Sequence, residues 1–127
     1  MKRIYPIVLS PGDDWWLVYV PDFEINTQGR DMEEALYMAH DAIGAVGVCK
    51  QDAGQEIPEP STFEPEHEKG ELVSWVSIDF ELYRYMSDMT SERTNVTLPR
   101  YLKVAARRAG LNLSQELQMR IKEVLML

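Results

Sequence analysis

The chain has a single cysteine, Cys49, among its 127 residues. One thiol cannot close an internal disulfide, and it cannot supply a zinc site built on several cysteines. Such cysteine usage is typical of the reducing cytoplasm, which is the location that we expect. No apolar run approaches the roughly 20 residues that span a bilayer, and the amino-terminal residues lack the apolar core of a signal peptide. We therefore expect no membrane partner.

Basic residues are scarce in the first 90 positions. Residues 1–90 hold six Lys and Arg against 18 Asp and Glu, a balance of −12. Residues 91–127 hold seven Lys and Arg against three Glu, a balance of +4. An acidic body (1–90) joined to a basic tail (91–127) predicts two partners of opposite charge. The alternative, chance clustering of solvated surface charge, stays open at this point.

Strand patterns precede and follow one helix pattern in the body. Apolar runs at 4–9 and 15–20, separated by turn residues, predict an antiparallel hairpin, and residues 23–29 predict a short third strand. Asp31 followed by Glu34 predicts a helix start with a capping box.

Small apolar residues recur at helical spacing after Asp31, and we expect this helix to end near Gly47. Residues 51–71 are rich in proline and acidic residues, which predicts a surface loop. Residues 72–80 predict a last strand. The order β-β-β-α-β predicts an α+β fold, a small antiparallel sheet with a helix on one face.

The tail has a different pattern. Residues 93–98 alternate polar and apolar with period two, and residues 100–109 have an apolar helical face. Gly110 predicts a helix end, and Asn112 predicts the N-cap of a second helix. We therefore predict a domain at residues 1–86, a linker at 87–92 and a second domain at 93–127.

A unit of about 35 residues buries too little apolar surface to fold alone, so the tail needs a partner chain. Antiparallel pairing of its strand with the strand of a second copy would bury both apolar faces. We expect a homodimer through the tail, and a homotetramer if the acidic bodies also pair. Such a ribbon fits the DNA major groove and would present side chains that can read base edges: Arg93, Asn95 and Thr97.

The segment RTNVTLPRYLKVAARRAGLNLSQELQMRIKEVL, within residues 92–126, resembles the ribbon-helix-helix DNA-binding domain, the class of the MetJ and Arc repressors. The resemblance implies that the three alternate strand residues contact the bases of double-stranded operator DNA. It also implies that backbone amides at the start of the second helix hold a phosphate, near Asn112, Leu113 and Ser114. A dimerisation module that does not bind DNA is the alternative.

Four short motifs stand at characteristic places in the body: Pro21-Asp22, Thr27-Gln28-Gly29-Arg30-Asp31, Glu33-Glu34-Ala35-Leu36 and Asp41-Ala42-Ile43. With them, residues 3–80 resemble the N-terminal domain of HicB antitoxins. The resemblance implies a partial RNase H-like fold and a place in a type II toxin–antitoxin system. The body would bind and block a HicA-like toxin, an mRNA-cleaving ribonuclease, and the tail would repress the operon.

The chain departs from the HicB pattern on the second strand and in the loop that follows it. We predict that toxin contacts lie on this surface, at Trp15, Trp16, Asp22, Phe23 and Glu24.

Two other classes of function compete with the antitoxin hypothesis. One is a stand-alone ribbon-helix-helix transcriptional regulator whose acidic body binds a small ligand. The other is a nuclease, since an RNase H fold cuts with carboxylates that hold two divalent metals. The side chains that could supply such carboxylates are Asp13, Asp14, Asp22, Glu24 and Asp79. None of them lies in a diagnostic motif, so we expect no enzyme activity, cofactor or metal site.

Three further side chains with possible chemistry favour plain structural interpretations. His40 and His67 lack a metal-ligand spacing and are predicted to lie on the surface. Cys49 lacks a histidine at a triad-like spacing and is predicted to be a buried or half-buried thiol.

Overall fold

The computed structural model describes residues 2–86, 88 and 90–127. Ser87 and Met89, two positions of the predicted linker, lie outside the described residues. The chain divides into two compact units, Met1–Thr90 and Ser91–Leu127. Among the described helices, none combines the length and the apolar character needed to cross a membrane.

The body is built on a four-stranded antiparallel sheet in the order β3-β2-β1-β4. Its strands are β1 (Lys2–Pro11), β2 (Trp16–Val20), β3 (Ile25–Gly29) and β4 (Leu72–Asp79). The predicted hairpin of β1 and β2 is confirmed, and the Gly12 N–H closes its turn by donating to the Trp15 carbonyl at 2.8 Å. A 3-10 turn at Pro21–Phe23 connects β2 to β3.

Helix α1 (Met32–Asp52) begins at the predicted cap, because the Asp31 carboxylate accepts a hydrogen bond from the Glu34 N–H at 2.8 Å. The prediction that it ends near Gly47 is wrong. Gly47 is buried inside the helix, and a Cβ at this position would lie 2.2 Å from a ring carbon of Phe80. The glycine is therefore a contact site for a neighbouring element. The predicted α+β class and the order β-β-β-α-β are confirmed.

That neighbouring element is a short helix, α2 (Phe80–Met86), which the sequence pattern did not predict. The Asp79 carboxylate accepts a hydrogen bond from the Leu82 N–H at 3.1 Å in its first turn. Phe80 lies over Gly47 and Tyr83 lies over Gly44, so the two missing side chains of α1 leave room for two aromatic rings.

The core lies between α1 and one face of the sheet. Its buried members are Tyr5, Ile7, Leu9, Val18, Val20, Phe23, Ala35, Ala39, Ile43, Ile57, Val76, Ile78 and Phe80. The predicted loop, which has neither helix nor strand over residues 55–71, closes one end of this core. Ile57 is buried, and the Tyr5 hydroxyl donates to the Pro58 carbonyl at 2.7 Å.

The tail contains two helices, α3 (Arg100–Arg108) and α4 (Leu113–Leu125). Gly110 ends α3 with a φ of 71°, and its N–H donates to the Arg107 carbonyl at 3.1 Å. The Leu111 N–H donates to the Ala106 carbonyl at 3.0 Å, so the two bonds form a Schellman motif and confirm the predicted helix end.

The strand predicted at 93–98 is not formed in the single chain. All of residues 91–99 are described, and they belong to no helix or strand. A strand needs a hydrogen-bonded neighbour, and a lone tail has none to offer. The strand was expected to pair with the strand of a second copy, so its formation in a dimer stays a prediction.

Candidate functional site

The predicted base-reading residues lie in an exposed segment ahead of α3. Arg93, Asn95 and Thr97 are exposed, and so are the alternating apolar residues Val96 and Leu98. Both sides of the period-two pattern therefore face water in the single chain. The base-contact role of the three polar residues stays a prediction.

The start of α4 has the N-cap that the sequence predicted. The Asn112 side-chain oxygen accepts a hydrogen bond from the Gln115 N–H at 3.2 Å. The amides of Leu113 and Ser114 belong to the first turn, where N–H groups have no acceptor within the helix. Glu116 in that turn opposes a bound anion by its charge. Phosphate binding at this helix start stays a prediction.

Both tail helices expose apolar side chains. In Ser91–Leu127, which is fully described, neither helix has a buried residue. Leu102 on α3 and Leu117 and Ile121 on α4 are each more than 40% exposed. The same α3 carries four basic side chains: Arg100, Lys103, Arg107 and Arg108. The tail therefore combines positive charge with apolar surface that nothing within it covers.

The five predicted toxin contacts fall into two groups at opposite ends of β2. Trp15 and Trp16 stand at its start, and the loop residues 22–24 follow its end. A strand of five residues spans roughly 16 Å, so the two groups do not form one continuous patch.

At the start of β2, Trp15 is 38% exposed, and the Arg30 guanidinium lies 5.7 Å from the centroid of its ring. This is a cation–π geometry, which fixes a flat aromatic surface beside a positive charge. Trp16 instead packs against the core. The two tryptophans and Arg30 line a hollow of about 200 Å³ at the turn of the hairpin.

Beyond the end of β2, the side chains have different environments. Phe23 is buried and meets Tyr5 edge-on, with ring centroids 4.9 Å apart. The Asp22 carboxylate accepts hydrogen bonds from the Ser61 N–H at 2.9 Å and from the Ser61 hydroxyl. Glu24 is exposed and has a φ of 52°. The untested prediction of toxin contact therefore suits Glu24 better than Phe23, whose side chain the core encloses.

The sheet also has a second apolar face whose larger side chains are partly exposed, and the sequence did not lead us to predict it. We call it the open sheet face, the side of the sheet opposite α1. Its apolar members are Ile4, Pro6, Val8, Leu17, Tyr19, Val73 and Trp75. Its polar members are Ser10, Asn26, Gln28 and Ser77. The signal was available, because Leu17, Tyr19 and Trp75 alternate with the core residues of their strands.

The candidate nuclease carboxylates do not converge. Asp22 is held by Ser61, and Asp79 accepts a hydrogen bond at the start of α2. Among the residues that the structure describes, no group of three or more His, Cys, Asp or Glu could hold a metal ion. The prediction for Cys49 is wrong, because its side chain is exposed.

A polar cluster joins α1 to α2 beside the two glycines. The Tyr83 hydroxyl donates to the Asp41 carboxylate at 2.9 Å, and the His40 ring lies 6.2 Å from the Tyr83 ring. Burial, with this hydrogen bond, raises the pKa of Tyr83 to about 12. Burial lowers the pKa of His40, although the Asp41 charge acts in the opposite direction. His40 is half-buried, so the surface position predicted for it is wrong.

Comparison with known proteins places the chain. Residues 5–115 match the family described as the HicB-like antitoxin of bacterial toxin–antitoxin systems. The chain belongs to the HicB-like antitoxin family. This membership supports an antitoxin role and a toxin as partner.

Two solved structures resemble this HicB-like chain over almost its whole length. A chain of a toxin–antitoxin complex from Streptococcus pneumoniae is 25% identical, with a TM-score of 0.56, and the match covers 97% of this chain and 99% of that one. The antitoxin HicB of Burkholderia pseudomallei is 23% identical, with a TM-score of 0.54 and 96% coverage of both chains. No curated protein shows significant similarity to the chain.

Proposed function

We propose that this HicB-like antitoxin neutralises a HicA-like, mRNA-cleaving ribonuclease toxin and represses its own operon by binding operator DNA. Both activities would be binding activities, without catalysis. Family membership supports the antitoxin role. One observation carries the division of labour: the unit with its own core is acidic, and the unit without buried residues is basic.

The acidic body suits a partner that binds RNA. Such a partner carries positive charge to hold phosphates, and complementary charge speeds association with its inhibitor. In this proposal the toxin contacts lie at both ends of β2. Exposed Trp15 and Glu24 would meet the toxin directly, while Trp16, Asp22 and Phe23 would hold the contact surface in shape.

The basic tail suits DNA, provided that it dimerises. Pairing of the 93–98 segments from two chains would form a two-stranded ribbon and would cover the apolar faces of α3 and α4. The ribbon would place Arg93, Asn95 and Thr97 of both chains in the major groove. The start of α4, at Asn112, Leu113 and Ser114, would hold a backbone phosphate.

The toxin activity can be tested by RNA cleavage. The probe is the purified product of the gene adjacent to the one that encodes this chain, assayed on a single-stranded RNA. We expect an equimolar amount of the full chain to suppress cleavage. Undiminished cleavage in the presence of excess folded chain would contradict the toxin-neutralising role.

The DNA activity can be tested by titrations at fixed salt on the DNA upstream of the operon and on scrambled DNA. We expect Arg93→Ala to weaken discrimination between them by roughly 1–3 kcal/mol, because a bidentate contact to guanine is lost. Lys103→Ala is the matched control: it should weaken binding to both DNAs alike and lower the salt slope by about one. An unchanged ratio for Arg93→Ala, Asn95→Ala and Thr97→Ala combined would refute the ribbon assignment.

A further inference from the structure

The open sheet face has the composition of a protein-binding surface. At its centre, Val8 on β1 is paired with Tyr19 on β2 and with Val73 on β4. Leu17, Tyr19 and Trp75 are each 40–49% exposed, while Pro6 and Val8 on the strand between them are buried, so the larger side chains form the exposed surface of this face. Aromatic side chains that are half exposed before binding are frequent anchors of interfaces.

A polar edge with a hollow borders this apolar centre. Asn26 and Gln28 on β3 are exposed and stand beside Tyr19 and Leu17 in the strand register. Leu17, Asn26, Thr27 and Gln28 line a hollow of about 350 Å³. An apolar centre with a polar rim and a hollow for an anchoring side chain is the usual anatomy of an interface.

Charge selects the occupant of this face. Within the described strands, the charged side chains on this side of the sheet, Lys2 and Asp79, stand opposite each other at one end. The surrounding body has a net charge of −12. The charges of Lys2 and Asp79 cancel, and the Glu71 carboxylate, which accepts a hydrogen bond from the Ser10 hydroxyl of this face, leaves its edge negative. A second acidic body docking here would add like charge, whereas a basic protein would meet opposite charge.

We infer that the open sheet face is the main docking surface for the toxin, whose complementary surface is apolar at its centre and basic at its rim. The inference rests on the proposed function, and it connects the two groups of predicted contacts, because Leu17 and Tyr19 lie on β2 between them. Leu17, Tyr19 and Trp75 would then carry most of the affinity, and Trp15 and Glu24 would lie at the periphery.

The first test compares full-length variants in calorimetric titrations with the purified product of the adjacent gene. We expect Leu17→Ser and Trp75→Thr each to weaken binding by about ten-fold or more. Phe63→Ser is the matched control, since Phe63 is a more exposed aromatic residue in the loop before β4. It should change the dissociation constant by less than about two-fold. Circular dichroism confirms that each variant is folded.

A second pair of variants tests the charge argument at one position without removing apolar contacts. Gln28→Lys should weaken toxin binding, and Gln28→Glu should preserve or strengthen it, with the difference shrinking at high salt. Equal effects of the two substitutions would overturn the inference that the partner has a basic rim.

The remaining outcomes separate this inference from the function on which it rests. Absence of binding by the unaltered chain would overturn the proposed function and this inference together. Binding that survives in folded Leu17→Ser and Trp75→Thr variants would overturn the inference alone. If those variants bind toxin normally but halve the particle mass in light scattering, the face joins two copies of this chain, and the inference is wrong.

Discussion

His40 shows how a single half-buried side chain couples stability to pH. Its ring packs near Tyr83, and burial lowers its pKa below the ordinary value of about 6.5. Between the lowered value and the ordinary one, the unfolded chain binds more protons than the folded chain. The free energy of unfolding therefore rises with pH across this window and falls as the solution becomes more acidic.

We predict that this dependence weakens in the His40→Gln variant. Urea unfolding between about pH 7.5 and 5.5 should show the unaltered chain losing stability and the variant losing less. His67→Gln is the matched control, and it should keep the dependence because it leaves His40 in place. If the free energy of unfolding of His40→Gln changed with pH as steeply as that of the unaltered chain, the pH dependence would not come from His40.

Gly47 is a second residue whose role depends on its neighbour. In an exposed helix, replacing glycine by alanine stabilises by roughly 0.5–1 kcal/mol. At Gly47 the added Cβ would lie 2.2 Å from the enclosed Phe80 ring. We predict that Gly47→Ala destabilises the body by about 1–3 kcal/mol in urea unfolding.

The control for Gly47→Ala replaces the neighbouring Phe80 ring with a smaller side chain. In a Phe80→Leu background the clash is relieved, so adding Gly47→Ala should cost less than it does in the unaltered chain. A gain in stability from Gly47→Ala alone would show that α2 does not pack on α1 at this point.

At the scale of elements, the sequence predicted what local chemistry decides. The caps at Asp31, Gly110 and Asn112 are confirmed because each depends on a few adjacent residues. The predicted end of α1 was wrong because Gly47 packs against Phe80, which lies 33 positions later in the sequence. The strand predicted at 93–98 is absent from the single chain, and the pairing predicted for it involves a second copy.

The sequence indicates which side chains of the candidate site share a face of the sheet, but not which of them other elements cover. Alternation along β4 accounts for the burial of Val76 and Ile78 and for the exposure of Trp75. It could not tell whether the opposite side would be covered, because that depends on where α1 and the loop before β4 pack. Phe23 was predicted as a contact, but its environment is set by Tyr5, which precedes it by 18 positions.

Helix α4 has an apolar face that a second chain could cover. Its apolar face is exposed in the single chain, so we predict a chain that is at least dimeric through the tail. Ile121→Glu should give a monomeric mass in light scattering at micromolar concentration and should abolish operator binding. Gln115→Glu has the same charge change on the polar side of α4, and it should leave the dimeric mass unchanged. A monomeric mass for the unaltered chain would contradict the proposal.

The whole molecule combines two units whose charges and burial differ. The body has a buried core of its own, whereas the tail, fully described, has no buried residue in its helices. We predict that a chain ending at Thr90 binds the adjacent gene's product with nearly the affinity of the full chain and fails to bind operator DNA. Calorimetry measures the affinity of the truncated chain for the toxin, and DNA titration measures its binding to the operator. Loss of toxin binding by the folded truncation would show that the tail takes part in neutralisation.

The central claim is that this chain is the antitoxin of a cognate toxin, and co-purification tests it most directly. The product of the adjacent gene is expressed with an affinity tag together with the untagged full chain. The amounts of both proteins in the eluate are then measured. We expect the chain to elute with the tagged protein in stoichiometric amount and to stay bound through a high-salt wash, because salt weakens apolar contacts little. A folded, abundant chain that stays entirely in the unbound fraction would contradict it.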